Sequence, residues 1–323
     1  MQTRRLGDSE LEFTTIGLGT WAIGGGDWDF GWGPQDDRES VAAIQRALDL
    51  GVNWIDTAAI YGLGHAEEVV ARAIAGRRDQ VIVSTKCGLR WARGGTTPFG
   101  QLDAASVREE AEASLRRLNT DVIDLYQVHW PNPDKDIEEA WRTIAELIEA
   151  GKVRYAGVSN FSVAQLERIK KIYPVTSLQP PYSMLERGVE DDLLEYCAAN
   201  RIGVIAYSPM KAGLLTGKYT REKIAALPKE DWRHGSDQFK EPRLGANLKL
   251  IDALKPIAQR NDMSMGQLAI AWVLRRPEVT AAIVGARRPQ QIEETVKGGD
   301  KTLSEADIEQ IEALLAQHAR AVR

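Results

Sequence analysis

Asp37-Arg-Glu-Ser-Val-Ala-Ala-Ile-Gln-Arg-Ala-Leu-Asp-Leu-Gly-Val-Asn-Trp-Ile-Asp56 contains a helix, a stop and a strand in twenty residues. Val41, Ile44 and Leu48 recur at helical spacing and fall on one face, Gly51 stops the helix, and the run to Asp56 reads as a short strand ending on a carboxylate. The same unit returns further along. Asp103 to Leu118 repeats the design with Val107, Ala111, Leu115 and Leu118. Asp136 and Glu139 have the spacing of a capping box, ahead of Ile137, Trp141, Ile144 and Ile148, with Gly151 as the stop and a strand from Val153 to Val158.

Outward from these units, strands are predicted at Ile16–Gly19, Asn53–Asp56, Val81–Lys86, Val122–His129, Val153–Val158, Thr176–Gln179, Gly203–Tyr207 and Ala281–Val284. Several are continuously apolar, as parallel strands covered by helices on their outer face must be, and the intervals suit right-handed crossovers. Eight strand-and-helix units predict an α/β fold, a closed (β/α)8 TIM barrel of parallel strands spanning residues 1–323 as one domain. Two stretches break the rhythm, the glycine- and tryptophan-rich Trp21 to Pro34 and the mixed Ser208 to Asn247. Both follow strands, so both are expected as long loops at the C-terminal mouth, where barrel active sites lie.

Composition narrows the partners. A net charge of −5 argues against a nucleic-acid or anionic-membrane surface. The two cysteines, Cys87 and Cys197, have neither disulfide-framework nor metal-site spacing, which points to a reduced, cytoplasmic setting. Met1 to Phe13 lacks the apolar stretch of a secretory signal, and the apolar run Leu268 to Leu274 is too short to span a bilayer. The expected partner is a small molecule.

The chemistry collects where the strands end. Asp56 closes the second predicted strand and Tyr61 lies five residues on; Lys86 closes the third and His129 the fourth. Each alone has an ordinary explanation: a turn residue, a half-buried ring, a solvated charge, a satisfied core histidine. A barrel brings all four to one mouth. Carbonyl reduction needs a proton for the developing alkoxide, and Tyr61 is expected to supply it, its phenol made more acidic by Lys86 while Asp56 fixes the ammonium. His129 would orient the carbonyl oxygen. The four histidines show no metal-ligand spacing.

Six segments, Gly17-Leu-Gly-Thr-Trp21, Asn53 to Gly62, Gly157-Val-Ser-Asn-Phe161, Tyr207-Ser-Pro209, Gly213-Leu-Leu-Thr-Gly-Lys-Tyr219 and Gly285-Ala-Arg-Arg-Pro-Gln-Gln-Ile-Glu-Glu294, closely resemble those of the aldo-keto reductase superfamily, most of all its bacterial general-stress and inositol-operon branch. The resemblance implies the barrel, NADP(H) as cofactor, an aldehyde, ketone or alcohol as substrate, and a catalytic tetrad at Asp56, Tyr61, Lys86 and His129. It also implies cofactor contacts. Thr20, Trp21 and Asp56 would lie at the nicotinamide, with Ser159, Asn160 and Gln179 on its carboxamide and Tyr207 stacked on its ring. Ser208, Pro209, Met210, Lys211, Ala212, Gly213, Leu214 and Lys218 would wrap the pyrophosphate. Gly285, Ala286, Arg287, Gln291, Glu294 and Thr295 would hold the adenosine end. Thr295 and Met210-Lys-Ala depart from the residues common in the family. Arg287 and Arg288, in a glycine-started loop just before a helix, favour an anion through guanidinium and backbone N–H together, and so NADPH over NADH.

Other readings of the same residues are weaker. Gly17-Leu-Gly-Thr-Trp-Ala22 fits a loose dinucleotide fingerprint, but no helix begins in Ala22 to Gly33 and no acidic residue ends a second strand about twenty positions later, which disfavours a two-domain Rossmann enzyme. Lys86 as a Schiff-base nucleophile is opposed by Asp56, because a salt-bridged lysine stays protonated. A third reading, a nucleotide-binding channel β-subunit, lacks its usual N-terminal extension here.

Overall fold

A computed structural model describes residues 1–322. Eight parallel strands close into a barrel in chain order: β1 Ile16–Gly19, β2 Trp54–Asp56, β3 Ile82–Cys87, β4 Ile123–Val128, β5 Val153–Ser159, β6 Ser177–Gln179, β7 Gly203–Ala206 and β8 Val279–Gly285, with β8 pairing back onto β1. Every predicted strand is present, with its bounds shifted by at most two residues. Helices α1 Asp37–Asp49, α2 His65–Ala73, α3 Ala104–Leu118, α4 Ile137–Glu149, α5 Val163–Ile169 and α6 Leu193–Ala199 cover the outside between successive strands. The last two strands are joined by α7 Arg221–Ala225, α8 Arg243–Arg260 and α9 Met265–Leu274, and the chain ends with α10 Pro289–Thr295 and α11 Glu305–Ala321. No described helix is long and apolar enough to cross a membrane.

Local chemistry sets the helix ends. The Asp36 carboxylate accepts from the Arg38 amide at 2.8 Å, Asp103 caps α3 through the Ser106 amide at 3.0 Å, and Ser162 with Gln165 forms a full capping box on α5. Gly51 and Gly151, both at positive φ, follow α1 and α4 where a left-handed turn is required. The capping box expected at Asp136 is not formed: the Asp136 side chain makes no cap bond, and the Glu139 carboxylate reaches the Ala104 amide of the neighbouring helix at 2.9 Å instead.

The barrel's closed end is filled from within. A hairpin of Thr3–Arg5 and Glu12–Thr14, not anticipated from the sequence, brings Leu6, Leu11 and Phe13 against Trp54, Leu125, Ile205, Ala281 and Ile283. Phe13 stacks on Trp54 at 4.5 Å. The Trp54 ring occupies the space a side chain at residue 17 would need, since a Cβ built on Gly17 would fall 2.0 Å from the indole. With that end plugged, the charged side chains that point into the barrel, Asp56 and Lys86, lie toward the other.

Two departures from the expected loops matter for the mouth. Ser208 to Asn247 is not one loop: it holds α7 and several single turns, and α8 has already begun at Arg243. A third excursion follows β3, a hairpin of Leu89–Trp91 with Pro98–Gly100. The Gly94-Gly95 pair between two short β-rich runs was the signal for it.

The hairpin leaves β3 at Gly88, whose amide donates to both Oε1 and Oε2 of Glu110 on α3 at 3.2 and 3.1 Å. Burial raises the Glu110 carboxyl to about 7, against the opposing pull of the Gly88 amide, Arg90, Ser106 and Arg117. Between the ordinary carboxylate range and pH 7 the folded chain therefore holds a proton that the unfolded chain has released, so this group's contribution to stability falls as pH rises through that window. Glu110→Gln should accordingly raise the melting temperature at pH 8 by the equivalent of about 1–3 kcal/mol and leave it unchanged near pH 4. Thermal denaturation of both proteins across pH 4–8 checks this, and a pH-independent difference would show that Glu110 does not titrate in the folded state.

Candidate active site

Register decides which side chains share the mouth. Asp56 on β2 lies beside Ser84 on β3, and Lys86, two residues further along β3, faces the same interior while Thr85 between them points outward to Glu67 on α2. Lys86 Nζ donates to Asp56 Oδ2 at 2.7 Å, to the Thr57 carbonyl at 2.9 Å and to Tyr61 Oη at 3.4 Å. The two charged side chains are 0% and 3% exposed. Asp56 Oδ1 also accepts from Gln179 Nε2 at 2.8 Å, and Ser84 Oγ stands 3.5 Å away, itself accepting from Gln127 Nε2. The His129 ring meets Tyr61 edge-on at 5.7 Å. Asp56, Tyr61, Lys86 and His129 thus converge.

Their proton affinities differ from the sequence expectation in one respect. Burial, and then the Asp56 carboxylate, push the Tyr61 phenol well above its ordinary value, so it is less acidic than a free tyrosine despite the neighbouring Lys86. The reason is competition for charge. Asp56 lies closer to the ammonium than Tyr61 does, and burial lowers the Lys86 pKa at the same time, so no unpaired cation faces the phenol. Tyr61 holds its proton at neutral pH. Burial and the Lys86 cation drive His129 well below its usual value, which leaves the imidazole neutral with one ring N–H to donate.

From Tyr61 a cleft of about 920 Å³ runs across the mouth. Asp56, Tyr61, His129, Trp21, Ser159, Asn160, Gln179 and Tyr207 line it, as do Ser208, Pro209, Met210, Ala212, Gly213 and Lys218, and Gly285, Ala286, Arg287, Gln291, Glu294 and Thr295. Asn160, at positive φ, donates to the His129 carbonyl and Ser159 Oγ and accepts from Tyr207 Oη at 2.9 Å, tying β4, β5 and β7 together at the rim.

Some sequence-predicted residues are not at the surface of this cleft. Lys86 lies beneath it. Thr20 is buried, with its amide and hydroxyl both on the Asp56 carbonyl, and Leu214 is buried in the core. Lys211 turns away to pair with Glu186 at 2.7 Å. The anion site expected at the start of α10 is also altered, because Gln291 Oε1 already accepts from the Arg287 and Arg288 amides at 2.7 and 3.2 Å. The Arg287 guanidinium is a strut: it donates to Gln35 Oε1 at 2.6 Å and to the Trp32 and Pro34 carbonyls. Exposed Arg288 makes no ion pair among the described residues, while Lys218 pairs with Glu294 at 2.5 Å.

Sequence reasoning missed several residues of the mouth. Asp231 and Arg233 form a buried fork, 2.8 Å between Nε and Oδ1, and the Arg233 guanidinium lies 4.5 Å over Trp32. Trp232 stacks on Trp21 at 4.8 Å, and its amide donates to the Gly31 carbonyl. The two long loops therefore meet across the cleft. A tryptophan inside an otherwise polar loop was the available signal.

Comparison with known proteins agrees with this geometry. Residues 15–316 match the model of the aldo/keto reductase family. The chain is 41% identical to aldo-keto reductase YhdN of Bacillus subtilis, over 98% of this chain and 94% of that protein. It is 34% identical to an NADH-specific methylglyoxal reductase of Escherichia coli, over 94% of each. Among solved structures, the glycerol dehydrogenase AKR11B4 from Gluconobacter oxydans superposes with a TM-score of 0.88 at 37% identity, covering 98% of this chain and 95% of that one. The chain belongs to the aldo/keto reductase family. It is an oxidoreductase dependent on a nicotinamide cofactor.

The buried pair dominates the energetics of the site. Lys86→Met leaves the Asp56 carboxylate buried without its cation, at an expected cost of about 3–5 kcal/mol, whereas the double variant with Asp56→Asn should recover most of that loss. Chemical denaturation of the single and double variants measures the coupling, and additive losses would mean the pair does not act as a unit.

Proposed function

We propose that this chain is an NADPH-dependent carbonyl reductase that converts aldehydes or ketones to alcohols, with Tyr61 as the proton donor. The observation that carries the reading is the approach of Lys86 Nζ to Tyr61 Oη at 3.4 Å on the floor of the cleft, with a neutral imidazole beside them. The cleft suits a nicotinamide dinucleotide because its lining is mixed, with aromatic and carboxamide side chains as well as the basic Arg287 and Arg288. When bound, the reduced nicotinamide supplies the hydride.

The chain's own residues do the rest. Tyr61 keeps its proton at neutral pH and delivers it from Oη as charge develops on the carbonyl oxygen, which is a stronger base than even this tyrosinate. Lys86, hydrogen-bonded to the same Oη, stabilises the tyrosinate left behind, and Asp56 with the Thr57 carbonyl keeps the ammonium in place. His129 donates its ring N–H to the carbonyl oxygen and orients it. Ser159, Asn160 and Gln179 would hold the carboxamide of a bound cofactor, Trp21 and Tyr207 would flank its ring, and Ser208, Pro209, Met210, Ala212, Gly213 and Lys218 would border its phosphates. We read residues 1–323 as one barrel domain, acting in the cytoplasm on small molecules.

For the cofactor's extra phosphate, Arg288, which has no ion-pair partner among the described residues, is the available cation, and Arg287 offers only the N–H groups its struts leave over. The Escherichia coli relative is NADH-specific by name, so affinity for the two cofactors is the deciding comparison.

Two outcomes are expected. Tyr61→Phe should lose carbonyl reduction by about 10²-fold or more while binding NADPH as before, measured by initial rates and by fluorescence titration; retention of most activity would remove Tyr61 as the donor. Arg288→Ala should weaken NADPH by about 1.5–3 kcal/mol and NADH far less. Equal losses for both, or a wild-type protein preferring NADH, would overturn the NADPH assignment.

A further inference from the structure

The phenol and the ammonium of the site arrive on different elements. Tyr61 lies in the turn before α2 and is tied to that helix, its carbonyl accepting from the Ala66 amide at 3.1 Å, whereas Lys86 is carried by β3. Their own contact, at 3.4 Å, is too long to hold the two elements in register. Another group must do so.

Glu67 is placed for it. It follows Ala66 on α2, and its carboxylate side chain is 0% exposed. Oε1 accepts from Oγ1 of Thr85, the residue before Lys86, at 2.6 Å, and Oε2 accepts from Nε of Arg117 on α3 at 2.6 Å. Arg117 also packs into the turn that carries Tyr61, since a Cβ built on Gly64 would fall 2.8 Å from its Cδ. A buried ion pair gains little over good apolar packing, so what the carboxylate adds is direction: two short charge-assisted bonds that fix β3 and α3 against α2. The charge also reaches Lys86. Burial lowers the pKa of that ammonium, while Asp56 and then Glu67 raise it. The other groups around the pair are Tyr61 and His129 on the mouth side, Arg117 on α3, and Tyr126 on β4 with Cys87 and Glu110 near it. Burial keeps Tyr126 and Cys87 protonated, and Glu110, raised to about 7, is already a carboxylate on the alkaline side.

We infer that Glu67 is a positioning residue for carbonyl reduction, clamping the helix that follows Tyr61 to the strand of Lys86 and so setting the approach of proton donor to cation. This rests on Tyr61 and Lys86 acting as proposed above. Lys86 must keep its proton to stabilise the tyrosinate left by transfer, so the rate falls on the alkaline side as that proton is lost; Tyr61, pushed the opposite way by burial, still holds its own there. Removing the negative charge of Glu67 makes the ammonium easier to deprotonate and moves this alkaline limb to lower pH.

The test is single-turnover reduction of propanal by the intact enzyme loaded with NADPH, from about pH 6 to about pH 10, in the wild type, Thr85→Val and Glu67→Gln. Thr85→Val removes one hydroxyl and keeps the charge. Its rate at saturating propanal should fall about fivefold or more, with the half-saturating propanal concentration and the NADPH affinity within about twofold and the alkaline limb in place. Glu67→Gln keeps an oxygen for Thr85 but not the charge, and its limb should move down by about half a pH unit or more; Glu67→Asp should restore the limb but, being shorter, not the rate. Without cofactor, the Lys86 titration followed by NMR of selectively labelled lysine should move down in Glu67→Gln as well. A wild-type rate in Thr85→Val, or an unmoved limb in Glu67→Gln, makes Glu67 a structural ion-pair partner alone and overturns the inference while the reductase reading stands. Should Glu67→Gln not fold, the Thr85→Val rate decides by itself. A folded wild type that reduces no aldehyde overturns the reductase reading and this inference with it.

Discussion

The ion pair between Lys86 and Asp56 constrains everything at the open end of this barrel. Two full charges stand almost without solvent, and a low-dielectric interior tolerates them only if every remaining donor and acceptor is met. The Thr57 carbonyl takes one ammonium proton, Tyr61 Oη lies within reach of another, and Gln179 donates to the carboxylate from the far side of the barrel. Side chains from β2, β3 and β6 are bound by that requirement. The interior therefore divides into an apolar plug around Trp54 and Phe13 and a polar layer above it, and chemistry is possible only on the upper side.

The same pair explains the state of the neighbouring groups. A lone lysine beside a phenol would favour tyrosinate in the resting state, but here burial and the closer Asp56 carboxylate outweigh it. Tyr61 stays a phenol and His129 stays neutral, a donor arrangement suited to meeting negative charge that arises during reaction. The enclosure matters as much as the charges. Trp21, Trp32 and Trp232 interlock above the cleft, with Arg233 over Trp32 and the Arg287 strut holding Gln35, so two loops far apart in sequence form one wall.

Much of the fold was legible because its signals are local. Helix caps at Asp36 and Asp103, stops at Gly51 and Gly151, and apolar strand runs are each properties of a few consecutive residues, and eight repeats leave little choice but closure. The tetrad was legible for a related reason: once the strand ends are known, a closed barrel brings them together. The first hairpin was not, because Thr3 to Thr14 acquires its apolar purpose only from the open barrel end it covers. The Asp136 cap failed because Glu139 found a better partner on another helix, which no pattern within α4 announces.

The sequence by itself determined the strand order, the side of the barrel that carries the polar residues, and the identity of Asp56, Tyr61, Lys86 and His129, since these follow from alternation within strands and from the short range of backbone hydrogen bonding. Only the tertiary structure decided that Tyr61 is a phenol raised in pKa, that Arg287 is a strut while Arg288 has no ion-pair partner among the described residues, and that Asp231, Trp232 and Arg233 belong to the mouth. Burial, competition for a shared charge and contacts between distant loops are sums over neighbours in space, and the order of residues along a chain does not contain those neighbours until the chain has closed.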